Sequence, residues 1–147
     1  MTVAACVMCD KSGRRGGLHI ADLEASCVFL HEDRFFPGYV LLVLRRHATE
    51  LYELSAAERR TLIEEVSRVA EALARVFRPV KMNYELLGNQ VPHIHWHLVP
   101  RLSADPEPSA PIWRVDHQPA PLAAPAVRDR IEAIRRALAI SASPPGA

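Results

Sequence analysis

A chain of 147 residues is long enough to bury one hydrophobic core and too short for two independent domains of ordinary size. Hydrophobic residues make up 49% and charged residues 24%, and the net charge of +1 argues against a nucleic-acid polymer as the main partner. No apolar run approaches the roughly 20 residues that cross a bilayer. No secretory signal is visible either, so we expect a cytoplasmic protein with no membrane partner.

The amino-terminal segment carries two of the three cysteines, Cys6 and Cys9, and continues into a stretch at 11–17 that predicts an exposed loop. A two-residue gap between cysteines is half of a zinc-ligand pattern, and it also suits a redox pair. An odd number of cysteines is poor material for a disulfide scaffold, which agrees with a reducing compartment. The spacing alone leaves the metal and redox interpretations open.

Five short apolar segments predict strands, two of them joined by a loop at 88–92. They cover residues 18–20, 26–30, 40–44 (after a turn at 36–39), 81–87 and 93–99. The segment 55–77 predicts a helix, because Ser55 and Glu58 form a capping box before an apolar stripe of three- and four-residue spacing. That stripe consists of Leu62, Val66, Val69, Leu73 and Val76.

The carboxyl-terminal third begins with an irregular, extended stretch, because seven of the chain's 12 prolines lie between 100 and 125. A second amphipathic helix follows, with an apolar stripe of Val127, Ile131, Ile134 and Leu138. The tail from Ser141 is expected to be disordered. Elements in this order predict an α+β fold with a mainly antiparallel sheet.

Three histidines alternate with apolar residues in the last predicted strand: His93, His95 and His97. Alternate residues of a strand share a face, about 7 Å apart, so the three imidazoles would form one row opposite an apolar face. An exposed histidine ladder, a multi-histidine metal centre and a nucleophile for phosphorus all fit such a row. The histidines alone do not decide between these interpretations.

The wider segment 83–101 closely resembles the signature of the histidine triad (HIT) family, a histidine row preceded by a Gly/Gln-containing loop and followed by Pro-Arg. The upstream run 36–40 and Arg46-His47 resemble the family's second hairpin and its end, so the resemblance covers roughly residues 5–101. It implies a five-stranded antiparallel sheet with one long helix and a C-terminal helix. It also implies a homodimer and a nucleotide hydrolase or transferase.

The resemblance assigns a role to each histidine of the row. His95 would be the nucleophile that forms a nucleotidyl-histidine intermediate, and His97 would contact the phosphate and leaving group. His93 would orient the row through its backbone carbonyl. The substrate would be a nucleoside phosphoramidate or a dinucleoside polyphosphate.

Four polar residues are candidates for nucleotide contacts. Asn83, Asn89 and Gln90 are placed to donate to the phosphate, although simple turn chemistry also accounts for them. The loop lacks the hydroxyl residue of the commonest family pattern. His31 stands where many family members have Asp or Asn for the ribose hydroxyls, and it could equally be a surface residue.

The resemblance also implies a structural zinc site. Many bacterial family members combine an N-terminal Cys-x2-Cys motif with two histidines, which would make Cys6, Cys9, His47 and His93 the ligands here. Cys27 would be a buried apolar residue. Mg²⁺ could assist polyphosphate substrates, and no organic cofactor is expected.

Residues 1–147 would then form a single HIT-like domain, with the proline-rich extension and second helix at 102–140 and the disordered tail at 141–147. Two alternatives to a hydrolase or transferase remain open at this stage. One is a non-catalytic nucleotide-binding regulatory protein of the same fold, and the other is an unrelated multi-histidine metalloenzyme. Trp113 could stack on a base in a partner's pocket or pack on its own subunit.

Overall fold

The computed structural model describes residues 6–14, 16–33 and 35–141. The five strands are β1 His19–Asp22, β2 Ser26–Leu30, β3 Val40–Leu44, β4 Lys81–Leu86 and β5 His95–Arg101. The three α-helices are α1 Val7–Arg14, α2 Ala56–Phe77 and α3 Ala124–Ser141. Short 3-10 turns lie at Leu51–Glu53 and Ile112–Arg114.

The strands form one antiparallel sheet in the order β1-β2-β3-β5-β4, which confirms the predicted fold class. β3 lies in the centre and every one of its residues is buried, as its continuous apolar sequence predicts. In the register of the sheet, His97 lies opposite Leu41 on one side and opposite Glu85 on the other. The histidine strand is therefore flanked on both sides rather than at an edge.

One face of the sheet packs against α2 and α3 and holds the larger core cluster. The predicted capping box of α2 is present, because Ser55 Oγ accepts from the Glu58 N–H and the Glu58 carboxylate accepts from the Ser55 N–H. Glu65, 5% exposed, fastens this helix to the β1–β2 turn by accepting from Ala25 N–H at 2.8 Å and from Ser26 Oγ at 2.5 Å.

The opposite face carries the histidines and a second buried cluster. The proline-rich segment crosses this face as a strap (residues 102–123) and places Ile112 and Val115 against Val43 and Val99. Arg101 at the end of β5 is completely buried and binds the strap through Asp105 and the backbone of the following residues. The extended segment thus covers one side of the sheet.

Several element bounds differ from the sequence predictions. Helix α1 replaces the loop expected from residue 11, β1 runs to Asp22 instead of ending at residue 20, and β4 ends at Leu86. β5 begins at His95, because the N–H groups of His93 and Ile94 bind Val91 and Ala48 outside the strand ladder. α3 continues to Ser141, where we expected the tail to begin, and residues 142–147 lie outside the described part of the chain.

None of the helices among the described residues has the length and apolar character needed to span a membrane.

Candidate active site and metal cluster

His95 is held by a hydrogen bond to the backbone two residues before it. It is 5% exposed, and its Nδ1 lies 2.6 Å from the carbonyl oxygen of His93. Since a carbonyl oxygen only accepts, Nδ1 carries the ring proton and the lone pair is on Nε2. Within residues 6–14, 16–33 and 35–141, no hydrogen bond to that Nε2 occurs, so the nitrogen is left for a ligand.

His97 lies beside His95, with ring centroids 5.0 Å apart. Its Nδ1 is 2.6 Å from the hydroxyl of Tyr39, a residue that is 3% exposed. Burial, with smaller contributions from the neighbouring His95 and His31, lowers the pKa of His97 to about 4. The ring is therefore neutral near pH 7.

His31 extends this group of rings toward the amino-terminal helix. It stacks on Tyr39 with centroids 3.9 Å apart and 6° between the planes, and its centroid is 6.5 Å from that of His97. Burial lowers the pKa of His31, and its Nδ1 accepts the Asp33 N–H at 3.0 Å. The proton of the neutral ring is thus on Nε2, which can donate to a ribose oxygen but not accept from a hydroxyl.

A cavity of about 590 Å³ opens beside His31, between α1 and the sheet. Phe29 and Leu41 form its apolar floor, while Met8 and Lys11 of α1 line its other side. Its volume falls within the range of small-molecule sites, and its combination of apolar walls with a few polar groups is typical of them. Leu41 lies opposite His97 in the sheet register, so the cavity and the histidine row are adjacent.

The strap covers the other side of His97. Trp113 lies edge-on to the His97 ring with centroids 5.4 Å apart, and its indole N–H donates to Glu85. Trp113 is still 55% exposed. Of the two roles considered for Trp113, packing on its own subunit is the one observed within this chain.

A cluster of possible metal ligands adjoins the row at His93. One ligand atom from each of four residues lies within 4.8 Å of the others: Cys6, Cys9, His47 and His93. The sulfur–nitrogen separations are 3.4 Å for Cys6–His93, 3.5 Å for Cys9–His93 and 3.5 Å for Cys9–His47. A tetrahedral zinc with Zn–S of about 2.3 Å and Zn–N of about 2.0–2.1 Å requires an edge of about 3.5 Å. These four residues therefore fit a zinc ion in donor type and spacing.

The tautomer of His93 also suits a metal ligand. Its Nε2 donates to the carbonyl oxygen of Leu44 at 2.8 Å, which leaves the lone pair on Nδ1 facing the two thiols. Such an outer hydrogen bond usually orients a ligating imidazole. Burial and the adjacent Cys6 raise the pKa of the Cys9 thiol when no cation is present. A metal would reverse that effect by favouring the thiolate.

The three residues expected to donate to the phosphate lie at different places relative to the histidine row. Asn83 is half-buried on the histidine face, and its Oδ1 accepts from Arg101 at 3.2 Å, which leaves its amide NH₂ group as the donor. Asn89 and Gln90 are exposed in the β4–β5 loop, and neither has a hydrogen bond or ring contact with the row. Cys27 is 1% exposed, as expected for a buried residue.

Tyr39 and Glu85 are site residues to which the sequence reasoning gave no role. Tyr39 appeared there only as part of the Phe36–Val40 hairpin motif, and nothing local distinguishes a buried phenol that reaches a strand 58 residues later. The register of β4 against β5 places Glu85 opposite His97, and that register could have identified it.

Comparisons with known proteins agree with this geometry. The HIT domain family matches residues 17–104. The Schizosaccharomyces pombe protein named bis(5'-nucleosyl)-tetraphosphatase [asymmetrical] is 31% identical over 87 residues, which is 56% of this chain and 48% of that protein. The chain therefore spans less than half the length of this relative.

Two solved structures extend the comparison to the fold. A histidine triad protein from Bradyrhizobium japonicum is 36% identical with a TM-score of 0.76, covering 82% of this chain and 89% of that one. A zinc-bound histidine triad family protein from Mycobacterium smegmatis has a TM-score of 0.71 at 20% identity and shares the fold over 95% of this chain and 96% of that one. By sequence match, sheet order and histidine row, this chain belongs to the HIT domain family.

Proposed function

We propose that this chain is a nucleotide hydrolase or nucleotidyl transferase that acts at the α-phosphate through a covalent nucleotidyl-histidine intermediate on His95. The supporting observation is the 2.6 Å hydrogen bond from His95 Nδ1 to the His93 carbonyl oxygen. This bond fixes the tautomer whose Nε2 holds a free lone pair. A neutral imidazole of that kind is a nucleophile for phosphorus.

The reaction would proceed in two displacements. In the first, the Nε2 lone pair forms a bond to phosphorus while the bond to the leaving group breaks, and the leaving group keeps the electron pair and takes a proton from water. In the second, water or another acceptor attacks phosphorus, the phosphorus–nitrogen bond breaks, and its electrons return to Nε2 as the acceptor's proton passes to solvent. Dividing one difficult displacement into two lowers each barrier.

The cavity beside His31 is the candidate nucleoside pocket. Its apolar floor at Phe29 and Leu41 suits the faces of a base, and His31 Nε2–H stands where it can donate to a ribose oxygen. This placement would direct the α-phosphate toward His95 and His97. Arg101 donates to the carbonyl oxygen of Asn83 and so orients its amide, whose NH₂ group would donate to the phosphate.

The leaving group would be an amine or a polyphosphate. The name of the S. pombe relative supports dinucleoside polyphosphates as one class. Phosphoramidates form the other class, and their turnover should need no added Mg²⁺ because the amine leaves once it is protonated. Arg101 is enclosed by its own partners, so Mg²⁺ should assist the polyphosphate class most.

We further propose that the cluster of Cys6, Cys9, His47 and His93 holds a structural zinc ion and that two chains form a homodimer. Two thiolates and two imidazoles close the coordination sphere, which leaves no position for substrate. Exposed apolar side chains on and beside the edge strand β4, Tyr84 and Leu87, offer a surface for the dimer. Light scattering would measure the mass.

The test of the chemistry compares His95→Ala with the matched variant His19→Ala, whose imidazole lies on β1 and pairs with Asp22. We expect His95→Ala to lose turnover of both substrate classes while retaining nucleotide binding and zinc, and His19→Ala to stay near wild type. Rapid quenching with an α-phosphate-labelled substrate should leave acid-labile label on His95. Turnover by His95→Ala above a tenth of the wild-type rate would rule out the covalent mechanism.

Two other outcomes would support the alternative functions. Nucleotide binding without turnover by the wild-type protein would indicate a regulatory protein of the same fold. Loss of metal from His95→Ala would indicate a catalytic metal centre, because His95 lies outside the four-residue cluster.

A further inference from the structure

Tyr39 stands immediately before β3 and is held on two sides. Its ring stacks on His31 with 6° between the planes, and its hydroxyl lies 2.6 Å from Nδ1 of His97. The residue is 3% exposed, so little water competes for the hydroxyl. Among the residues that the structure describes, the hydroxyl therefore has one hydrogen-bond partner, and that partner belongs to the histidine row.

The direction of this hydrogen bond follows from the protonation state of the phenol and from the partners that its hydroxyl has. Burial raises the pKa of Tyr39 above its ordinary value, and the carboxylates of Glu85 and Asp33 raise it further. The phenol thus keeps its proton. No other described residue accepts a hydrogen bond from this buried hydroxyl, so the proton would be left unpaired unless it is donated to Nδ1 of His97. Because Nδ1 of a neutral His97 accepts that proton, the ring's own proton is on Nε2.

We propose that Tyr39 is a positioning residue that fixes the tautomer of His97, so that Nε2–H always donates to the phosphate held beside His95. The inference rests on the proposed function for the identity of that ligand, but the tautomer is a property of the free protein. In the opposite tautomer, Nε2 would direct a lone pair at an anionic oxygen, where it would repel charge instead of stabilising it.

Of the groups that face His97, Tyr39 is the one that selects its tautomer. The rings facing His97 are those of His95, His31, Tyr39 and Trp113, and the carboxylate facing it is Glu85 across the sheet. Among these, the structure joins only the Tyr39 hydroxyl to a ring nitrogen of His97 by a hydrogen bond. The Glu85 carboxylate instead accepts the indole N–H of Trp113.

The experiment removes one oxygen atom, in Tyr39→Phe, and uses Tyr52→Phe as the matched control because Tyr52 is 80% exposed. Long-range ¹H–¹⁵N spectra of the zinc-loaded, labelled protein distinguish the protonated from the unprotonated ring nitrogen. We expect wild type and Tyr52→Phe to show His97 protonated on Nε2 alone. In Tyr39→Phe the two nitrogens should shift toward the values of a mixture of tautomers.

Two further readouts separate positioning from simple structural support. A donor to Nδ1 stabilises the neutral ring, so the pKa of His97 should rise from about 4 in Tyr39→Phe. The kcat for phosphoramidate hydrolysis should fall by roughly tenfold, as expected for loss of one hydrogen bond, with KM changed less than twofold. The whole 147-residue chain, with its folding checked by thermal melting, is used throughout.

Each outcome tests a different part of the inference. An unchanged His97 tautomer and pKa in Tyr39→Phe would overturn the inference even if the enzyme were active as proposed. A changed tautomer with kcat equal to that of Tyr52→Phe would overturn the link to catalysis. Absence of turnover in the wild type would instead count against the proposed function, while the spectra would still report on Tyr39.

Discussion

Arg101 provides a quantitative test of how the strap is held on the histidine face. Its guanidinium is 0% exposed and donates to Asp105 at 3.1 Å, to Asn83 at 3.2 Å and to the carbonyl of Glu107 at 3.2 Å. Asp105 is itself only 8% exposed. Arg101→Leu would leave a buried carboxylate without its cation, which typically costs about 3–5 kcal/mol of unfolding free energy.

For a chain of this size, such a loss corresponds to a drop in Tm of roughly 6–20 °C. Calorimetry or a thermal melt followed by circular dichroism would measure it. The matched control is Arg75→Leu, which breaks an exposed ion pair with Glu71 and should change the unfolding free energy by less than about 1 kcal/mol. Hydrogen exchange should also rise across the strap in Arg101→Leu, because its anchor is gone.

A double-mutant cycle isolates the pair. Asp105→Asn removes the charge, so adding it to Arg101→Leu should restore part of the lost stability instead of lowering it further. The reasoning is wrong if Arg101→Leu melts within about 2 °C of the wild type, or if the two substitutions are simply additive.

Three further predictions concern the metal, pH and a turn. Elemental analysis should find close to one zinc ion per chain, and Cys9→Ser should lower both the zinc content and Tm. A metal-free protein with an unchanged Tm would contradict this prediction. The pKa of His97 is lowered to about 4 in the folded protein, so on acidification the unfolded state takes up this proton at a higher pH than the folded state does. The free energy of unfolding should therefore fall as the pH drops from about 6.5 to 4, and it should fall less in His97→Gln. Gly38→Ala should lower the free energy of unfolding, measured by denaturant titration, by about 2–5 kcal/mol, because φ is 80° and the added Cβ would lie 2.5 Å from the Phe77 ring. The control Gly13→Ala should not lower it, because no atom lies within 4 Å of a Cβ at that position.

Local patterns accounted for the parts of the fold that depend on near neighbours in sequence. The capping box at Ser55 and the apolar stripe of α2 involve contacts three or four residues apart, and the structure has both. The fully apolar β3 correctly predicted a strand buried on both faces. Five local apolar segments also gave the number of strands, whereas the order of the strands in the sheet joins segments far apart in sequence and no local pattern contains it.

The strap and its anchor could not be predicted in this way. A proline-rich stretch has no periodicity that predicts which of its residues are buried, so Ile112 and Val115 gave no signal of packing on the sheet. Nothing in the sequence shows that Arg101 is buried either. Its guanidinium is enclosed by partners 4 to 18 residues away.

The His93 ring points away from the rings of His95 and His97. Alternation predicts that all three imidazoles share a face, but β5 starts only at His95, and the His93 ring turns toward Cys6 and Cys9 while its carbonyl holds His95. A substitution at His93 would therefore disturb the proposed metal cluster and the proposed nucleophile together and could not separate their roles. Cys9 belongs to the cluster and has no hydrogen bond to His95, so Cys9→Ser changes a proposed metal ligand and leaves the three histidines in place. Any change in kcat in that variant, measured below its melting temperature, would report how far the cluster sets the geometry of the His93 carbonyl.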